Sequence, residues 1–148
     1  MGVVRVVDNR VMESLTEIRV RYAETDAMDI VHHAVYPVWM ELGRSDLLRQ
    51  LGQSYSEWES AGIRITVGEI HVKYRAPARY DELVLVRSRV REASRRRIVF
   101  AYQIEREGTV LASGESVHLV CGSDGRARIL PEPYLSLVRN ASPEAGGD

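Results

Sequence analysis

The chain has 148 residues, 45% of them apolar and 28% charged, with a net charge of −1. That size suits one domain with a single buried core, and the near-neutral charge excludes a whole-molecule pull toward nucleic acid or an anionic membrane. The lone Cys121 excludes an internal disulfide and a cysteine zinc site, and no apolar run approaches the ~20 residues of a membrane span.

The first residues, 1–15, read as an N-terminal arm. Val3 to Val7 is too short for a signal peptide and is broken by Arg5; a cytoplasmic location is expected. Thr16 to Tyr22 alternates, with Ile18, Val20 and Tyr22 on one face, and predicts a strand. Ala34 to Leu51 predicts a helix of ~27 Å. Tyr36, Met40, Leu47 and Leu51 form its apolar stripe, and Val35, Val38, Trp39 and Leu42 widen it, so the helix is expected to be largely enclosed. Pro37 falls in the first turn, where amides lack intrahelical partners, and Gly52 is the stop.

Ser54 to Ser60 predicts a short helix ending near Gly62. The period then changes to two. Ile63–Tyr74, Glu82–Val90, Arg97–Glu105 and Thr109–Cys121 are expected as a four-strand antiparallel meander, with Gly114 marking a bulge or close approach. Pro131 to Arg139 is expected as a closing helix, and residues 141–148 (ASPEAGGD) as a disordered tail. The single domain then spans 16–140. A sheet wrapped round one helix buries both apolar faces, which makes the fold class α+β.

Arg19 to Gly43, RVRYAETDAMDIVHHAVYPVWMELG, carries the chemistry. A strand runs into acidic residues, a short loop follows, and two histidines precede a long apolar helix. The loop brings a carboxylate near the helix N-terminus, whose unpaired amides can hold an oxyanion. Asp26 read alone is a loop or capping aspartate. His32 and His33 as metal ligands with Glu24, Asp26 or Asp29 would need both rings on one ion, but adjacent helical residues point apart; no metal is expected. His71 and His118, in alternating strands, read as structural. Glu41 pairs with Arg44 at i+3 or is a second acid at the site.

The run Tyr22-x-x-Thr25-Asp26-Ala27-Met28-x-Ile30-Val31-x-His33-Ala34-x-Tyr36, followed by Trp39 and Glu41, resembles the signature of the 4-hydroxybenzoyl-CoA thioesterase family, including its Tol-Pal-associated branch. Val72 to Leu83, VKYRAPARYDEL, resembles the family's strand and turn after the helix. The likeness covers residues 16 to 135. It implies a hotdog fold, a curved antiparallel sheet of about five strands round one long helix. It implies a homodimer or homotetramer, with sheets joined edge to edge and sites at the interface.

The implied reaction is hydrolysis of an acyl-CoA to a carboxylic acid and CoA, with no separate cofactor because CoA arrives with the substrate. Asp26 matches the catalytic aspartate, as general base or nucleophile. His33 matches the position whose backbone amide faces the thioester carbonyl, and Tyr36 the aromatic of the first helical turn. Where the family has glycine this chain has Asp29, a residue that tolerates unusual dihedrals.

Arg95, Arg96 and Arg97 read as a hairpin tip. Such a tip serves either as a charged edge against aggregation or as a holder of CoA phosphates, which arginine forks suit. Rival readings are an acyl-carrier-protein thioesterase, a non-catalytic acyl-CoA-binding hotdog protein and a hotdog dehydratase.

Overall fold

The computed structural model describes residues 2–7, 11–142 and 144–145. One antiparallel sheet dominates. Strands β1 (Gly2–Val7), β2 (Val11–Arg19), β3 (Arg64–Tyr74), β4 (Leu83–Ala93), β5 (Arg97–Arg106) and β6 (Thr109–Cys121) lie in the order β1-β2-β4-β5-β6-β3. A two-residue β7 (Glu144–Ala145) adds in parallel to the end of β4. Helix α1 (Val35–Gln50) crosses one face of this sheet, and α2 (Tyr55–Ser60) and α3 (Tyr134–Asn140) are short.

Local chemistry sets the helix ends. Ala34 and Leu51 cap α1, one residue outside it at each end. Gly52 takes φ 110°, a left-handed conformation that glycine adopts without a Cβ clash. Ser54 starts α2 through a reciprocal capping box with Glu57. In β4 and β5 the period-two alternation buries Val84, Val86, Val90, Ile98, Phe100 and Ile104 completely against Trp39, Met40 and Leu47 of α1. Two glycines set the spacing. A Cβ on Gly43 would strike the side chains of Ser88 and Val86 on β4. One on Gly114 would strike the His71 carbonyl and Met40, the close approach expected there.

The core of the architecture is the expected five-strand hotdog, β2 and β3 to β6 round α1, but five expectations change. Residues 1–15 are not a separate arm: Gly2–Val7 pairs with Val11–Thr16, and β2 begins at Val11 because Glu13–Arg19 also pairs with β4. Tyr22 leaves the strand and opens a 3-10 turn, Tyr22–Glu24, where it is exposed. Only β4, β5 and β6 form a meander. β3 pairs with β6 alone and is a sheet edge, because residues 75–82 carry the chain past the start of α1 to β4 on the far side.

The fourth change concerns α1, which is covered on one side only. Val38 and Leu42 are 49% and 47% exposed. Of the expected tail, Ala141 and Ser142 are buried, and Ser142 Oγ donates to the Arg91 carbonyl at 2.6 Å. Residues 143 and 146–148 lie outside the described residues.

Candidate active site

The segment between β2 and α1 is a compact loop held by its own backbone. Thr25 and Val31 form an isolated bridge. The Asp26 amide donates to the Ile30 carbonyl at 2.9 Å, and the Asp29 amide to the Asp26 carbonyl at 3.0 Å. Closing so tight a turn requires Asp29 at φ 61°, a region open to glycine and tolerated by aspartate. The aspartate thus keeps the turn that glycine makes in the family.

Asp26 is half-buried. Its Oδ1 accepts from the Met28 amide at 2.8 Å, which holds the carboxylate at the mouth of the loop. Oδ2 has no hydrogen-bond partner among the described residues. Asp26 is not the cap of α1, because that position belongs to Ala34.

Of the amides from His33 to Val35, at the start of α1, two are used. Ala34 N–H donates to His32 Nδ1 at 3.0 Å, and Val35 N–H to the His32 carbonyl at 2.9 Å. The His33 amide, which precedes both, has no acceptor among the described residues. The His33 carbonyl is fixed by the Tyr74 hydroxyl at 2.7 Å, and the His33 ring stacks on His32 with centroids 4.2 Å apart. This leaves the His33 amide a free donor at the positive end of a sixteen-residue helix, where the Tyr36 amide also has no acceptor among the described residues.

Asp26, His33 and Tyr36 line one cleft of about 400 Å³ with Met28, Tyr74 and Arg75. Tyr36 is buried at its floor, edge-on to Tyr74 at 5.1 Å. Burial holds the Tyr36 phenol above its ordinary range, despite a backbone hydrogen bond with Ala78, so it stays protonated at neutral pH. The structure therefore brings the three expected groups together. Among the described residues, no group of three or more His, Cys, Asp or Glu is placed to hold a metal.

Arg95, Arg96 and Arg97 are not brought to this cleft within one chain. They occupy the β4–β5 hairpin, at the Thr66 end of β3 rather than the Tyr74 end. The eight residues between those ends span about 25 Å. Arg97 pairs with Glu92 at 2.8 Å.

Two roles escaped the sequence reading. Glu24, considered there only as a metal partner of the histidines, is 6% exposed. Its carboxylate accepts from Trp39 Nε1 at 3.0 Å and from the Arg21 amide at 2.8 Å, and its carbonyl from the His32 amide at 2.9 Å. Tyr74 lay in the second quoted motif, but its bond to His33 spans 41 residues and leaves no local mark.

Comparison with known proteins places the chain in a family. The thioesterase superfamily profile matches residues 28–113. A Bacillus subtilis protein described as putative acyl-CoA thioesterase YneP is 43% identical over 91 residues, which is 62% of this chain and 66% of that protein. A hypothetical protein of Thermus thermophilus superposes with TM-score 0.81 at 44% identity, covering 84% of this chain and 95% of that one. A DHNA-CoA thioesterase from Staphylococcus aureus gives 0.80 at 35% identity, covering 87% of each chain.

Proposed function

The chain belongs to the thioesterase superfamily, and from that premise we propose that it hydrolyses an acyl-CoA, with Asp26 as general base on water or as nucleophile. One observation carries the reading: an Asp26 oxygen and the His33 amide, neither with a hydrogen-bond partner among the described residues, belong to the same cleft. In the proposed step the thioester oxygen gains charge against the His33 N–H as the new C–O bond forms. As general base, Asp26 takes the proton of the attacking water, and as the C–S bond breaks it passes that proton to the CoA sulfur, so that CoA leaves as the thiol. As nucleophile, Asp26 forms a mixed anhydride while the C–S bond breaks and CoA leaves as thiolate; water then hydrolyses the anhydride, frees Asp26 and supplies the proton for the thiol. Tyr36 forms the floor beneath the carbonyl. The reaction calls on no cofactor, since CoA is part of the substrate.

Two chains are proposed to pair through β3, as a dimer or a dimer of dimers. β3 is a free edge of eleven residues. Val67, Ile70 and Tyr74 of β3 and Val38 and Leu42 of α1 are exposed. An open edge with apolar flanks is a template for pairing. Antiparallel pairing would bring the hairpin of the second copy to the cleft end of the first, where Arg95, Arg96 and Arg97 could meet the CoA phosphates. No helix among the described residues is long and apolar enough to cross a membrane, which accords with the cytoplasmic location we propose.

Free-thiol release from a panel of acyl-CoAs, beside the matching acyl carrier protein thioesters, tests the reaction. Hydrolysis of acyl-CoA with loss in Asp26→Asn is the expected result. Binding without thiol release would leave a non-catalytic acyl-CoA protein.

A further inference from the structure

Arg44 is a buried charge that its neighbours compensate only in part. It lies eight residues beyond Tyr36 on α1, about 12 Å along the axis. Its side chain is 12% exposed, and its Nη1 is buried with no hydrogen-bond partner. The nearest carboxylate, Glu41, stands 3.8 Å from Nη2 and is itself 63% exposed, a weak counter-charge.

The groups behind Arg44 supply no anion. Its guanidinium hydrogen-bonds the Tyr102 side chain. The Tyr102 hydroxyl meets Ser116 Oγ at 2.6 Å, Ser116 meets His118 Nε2 at 2.8 Å, and His118 Nδ1 faces the Ile65 carbonyl at 3.4 Å. Burial keeps both Tyr102 and His118 neutral at physiological pH. A buried guanidinium that keeps one nitrogen without an acceptor costs stability, and a fold that retains one can use it to meet a ligand.

Arg44 opens onto a pocket of about 170 Å³, lined also by Glu41, Ser45, Leu48, Tyr55, Ile65 and Val67. This pocket and the Asp26 cleft both have walls from α1 and β3: Tyr36 and Tyr74 in the cleft, Arg44 and Val67 in the pocket. Ile70 and Val72 lie between them on β3, on the same face of the sheet as Tyr74 and Ile65. The strip of β3 that separates the two cavities is thus apolar on this face, and the far pocket holds the Arg44 guanidinium, with the exposed Glu41 also in its lining.

We propose that the acyl group runs from the Asp26 cleft along this strip to the far pocket, and that Arg44 selects acyl groups bearing an acceptor oxygen, carboxylate or hydroxyl, at the end remote from the thioester. The proposal rests on the reading of the Asp26 cleft as the thioester site. A methyl at that end would leave Nη1 of Arg44 desolvated and without an acceptor, whereas an oxygen there accepts from it. Sites built around a buried polar group reject analogues that lack its partner.

The test uses size-matched pairs of acyl-CoAs, one ending in carboxylate or hydroxyl and the other in methyl, with kcat/KM read by thiol release. The native chain should favour the oxygen-ended member by at least ~10-fold. Arg44→Met should lower kcat/KM for that member and raise it for the methyl-ended one, so that the ratio collapses or inverts, without lowering Tm. Arg44→Gln keeps an N–H donor and covers the case in which the methionine variant does not fold. It should retain selectivity for hydroxyl and lose it for carboxylate.

Equal native rates on both members would overturn the proposal. So would an unchanged ratio in Arg44→Met or Arg44→Gln, or a fall in Tm of Arg44→Met with both rates lost alike, which would mark a structural cation. Absence of thiol release from every acyl-CoA would instead fell the thioesterase reading beneath it.

Discussion

Trp39 Nε1 donates to Glu24 Oε2 at 3.0 Å inside the core, tying the second turn of α1 to the residue two places before Asp26. Glu24→Ala would leave the indole and the Arg21 amide unpaired, at a cost of about 1–3 kcal/mol. It should also lower kcat more than it raises KM, because the Asp26 loop loses its anchor. Glu24→Gln keeps an acceptor oxygen for the indole and should restore most of both. Urea denaturation and steady-state kinetics on the two variants decide this. An alanine variant with native kcat would mean that the tie does not position the loop.

Asp26→Asn preserves shape and removes the basic oxygen. A loss of ~10²- to 10⁴-fold in kcat is expected for a general base, with KM little changed. His33→Ala keeps the amide and should be mild. His33→Pro removes it, and should cost roughly 10²- to 10³-fold. The His33 carbonyl that Tyr74 holds is present in both variants, and circular dichroism confirms whether the helix start is intact. Near-native rates in Asp26→Asn would move the search to Asp29 and Glu41.

The open β3 edge predicts at least a dimer by light scattering at micromolar concentration. Ile70→Lys places a charge on the exposed apolar flank of that edge and should shift the species toward monomer. A native chain that is already monomeric would remove the basis for a shared site.

Neutralising Arg95 and Arg96 should raise KM for acyl-CoA and weaken its salt dependence, with kcat little changed. Phosphate contacts are the same in ground and transition states and act as uniform binding. If KM at low salt does not move, the hairpin arginines serve only as a charged edge.

His118 gives a pH dependence. Burial first, and the charge of Arg44 second, pull its pKa from 6.5 to about 4. The unfolded imidazole binds its proton near 6.5, so between these values the unfolded chain holds more protons than the folded one. The stability this group contributes is complete above pH ~6.5 and is lost as pH falls through about 4, roughly 3 kcal/mol in all. Urea midpoints from pH 7 to 4 should show that fall, and His118→Gln, which does not titrate, should flatten it.

Most helix and strand bounds were readable because their signals are local, whereas β2, expected over Thr16 to Tyr22, runs Val11–Arg19 because its start is set by pairing with β1. Pro37 in a first turn, Gly52 at a stop and the alternation of Ile98, Phe100, Tyr102 and Ile104 each act within a few residues. The place of β3 was not readable, since alternation shows that a strand has faces but not which strand it pairs with. The exposure of Val38 and Leu42 was hidden likewise, because a wide apolar stripe does not reveal how much of it one sheet covers. Asp26, His33 and Tyr36 sit in one contiguous motif. Arg44 drew notice only as a partner for Glu41, because its burial depends on β3, β5 and β6 together.

Gly43 has a mechanical consequence. The helix bears on β4 at a point where it presents no side chain and the side chains of Ser88 and Val86 fill the space, so this contact works as a fulcrum. From Gly43 back to Val35 the helix is a stiff arm of about 12 Å, and its tip carries the His33 amide. A shim at the fulcrum, even one methyl, would tilt that arm and strain the tie between Trp39 and Glu24 that keeps the arm in line with the Asp26 loop. The alignment of the two reacting ends is therefore set at a distance, by an atom that is missing.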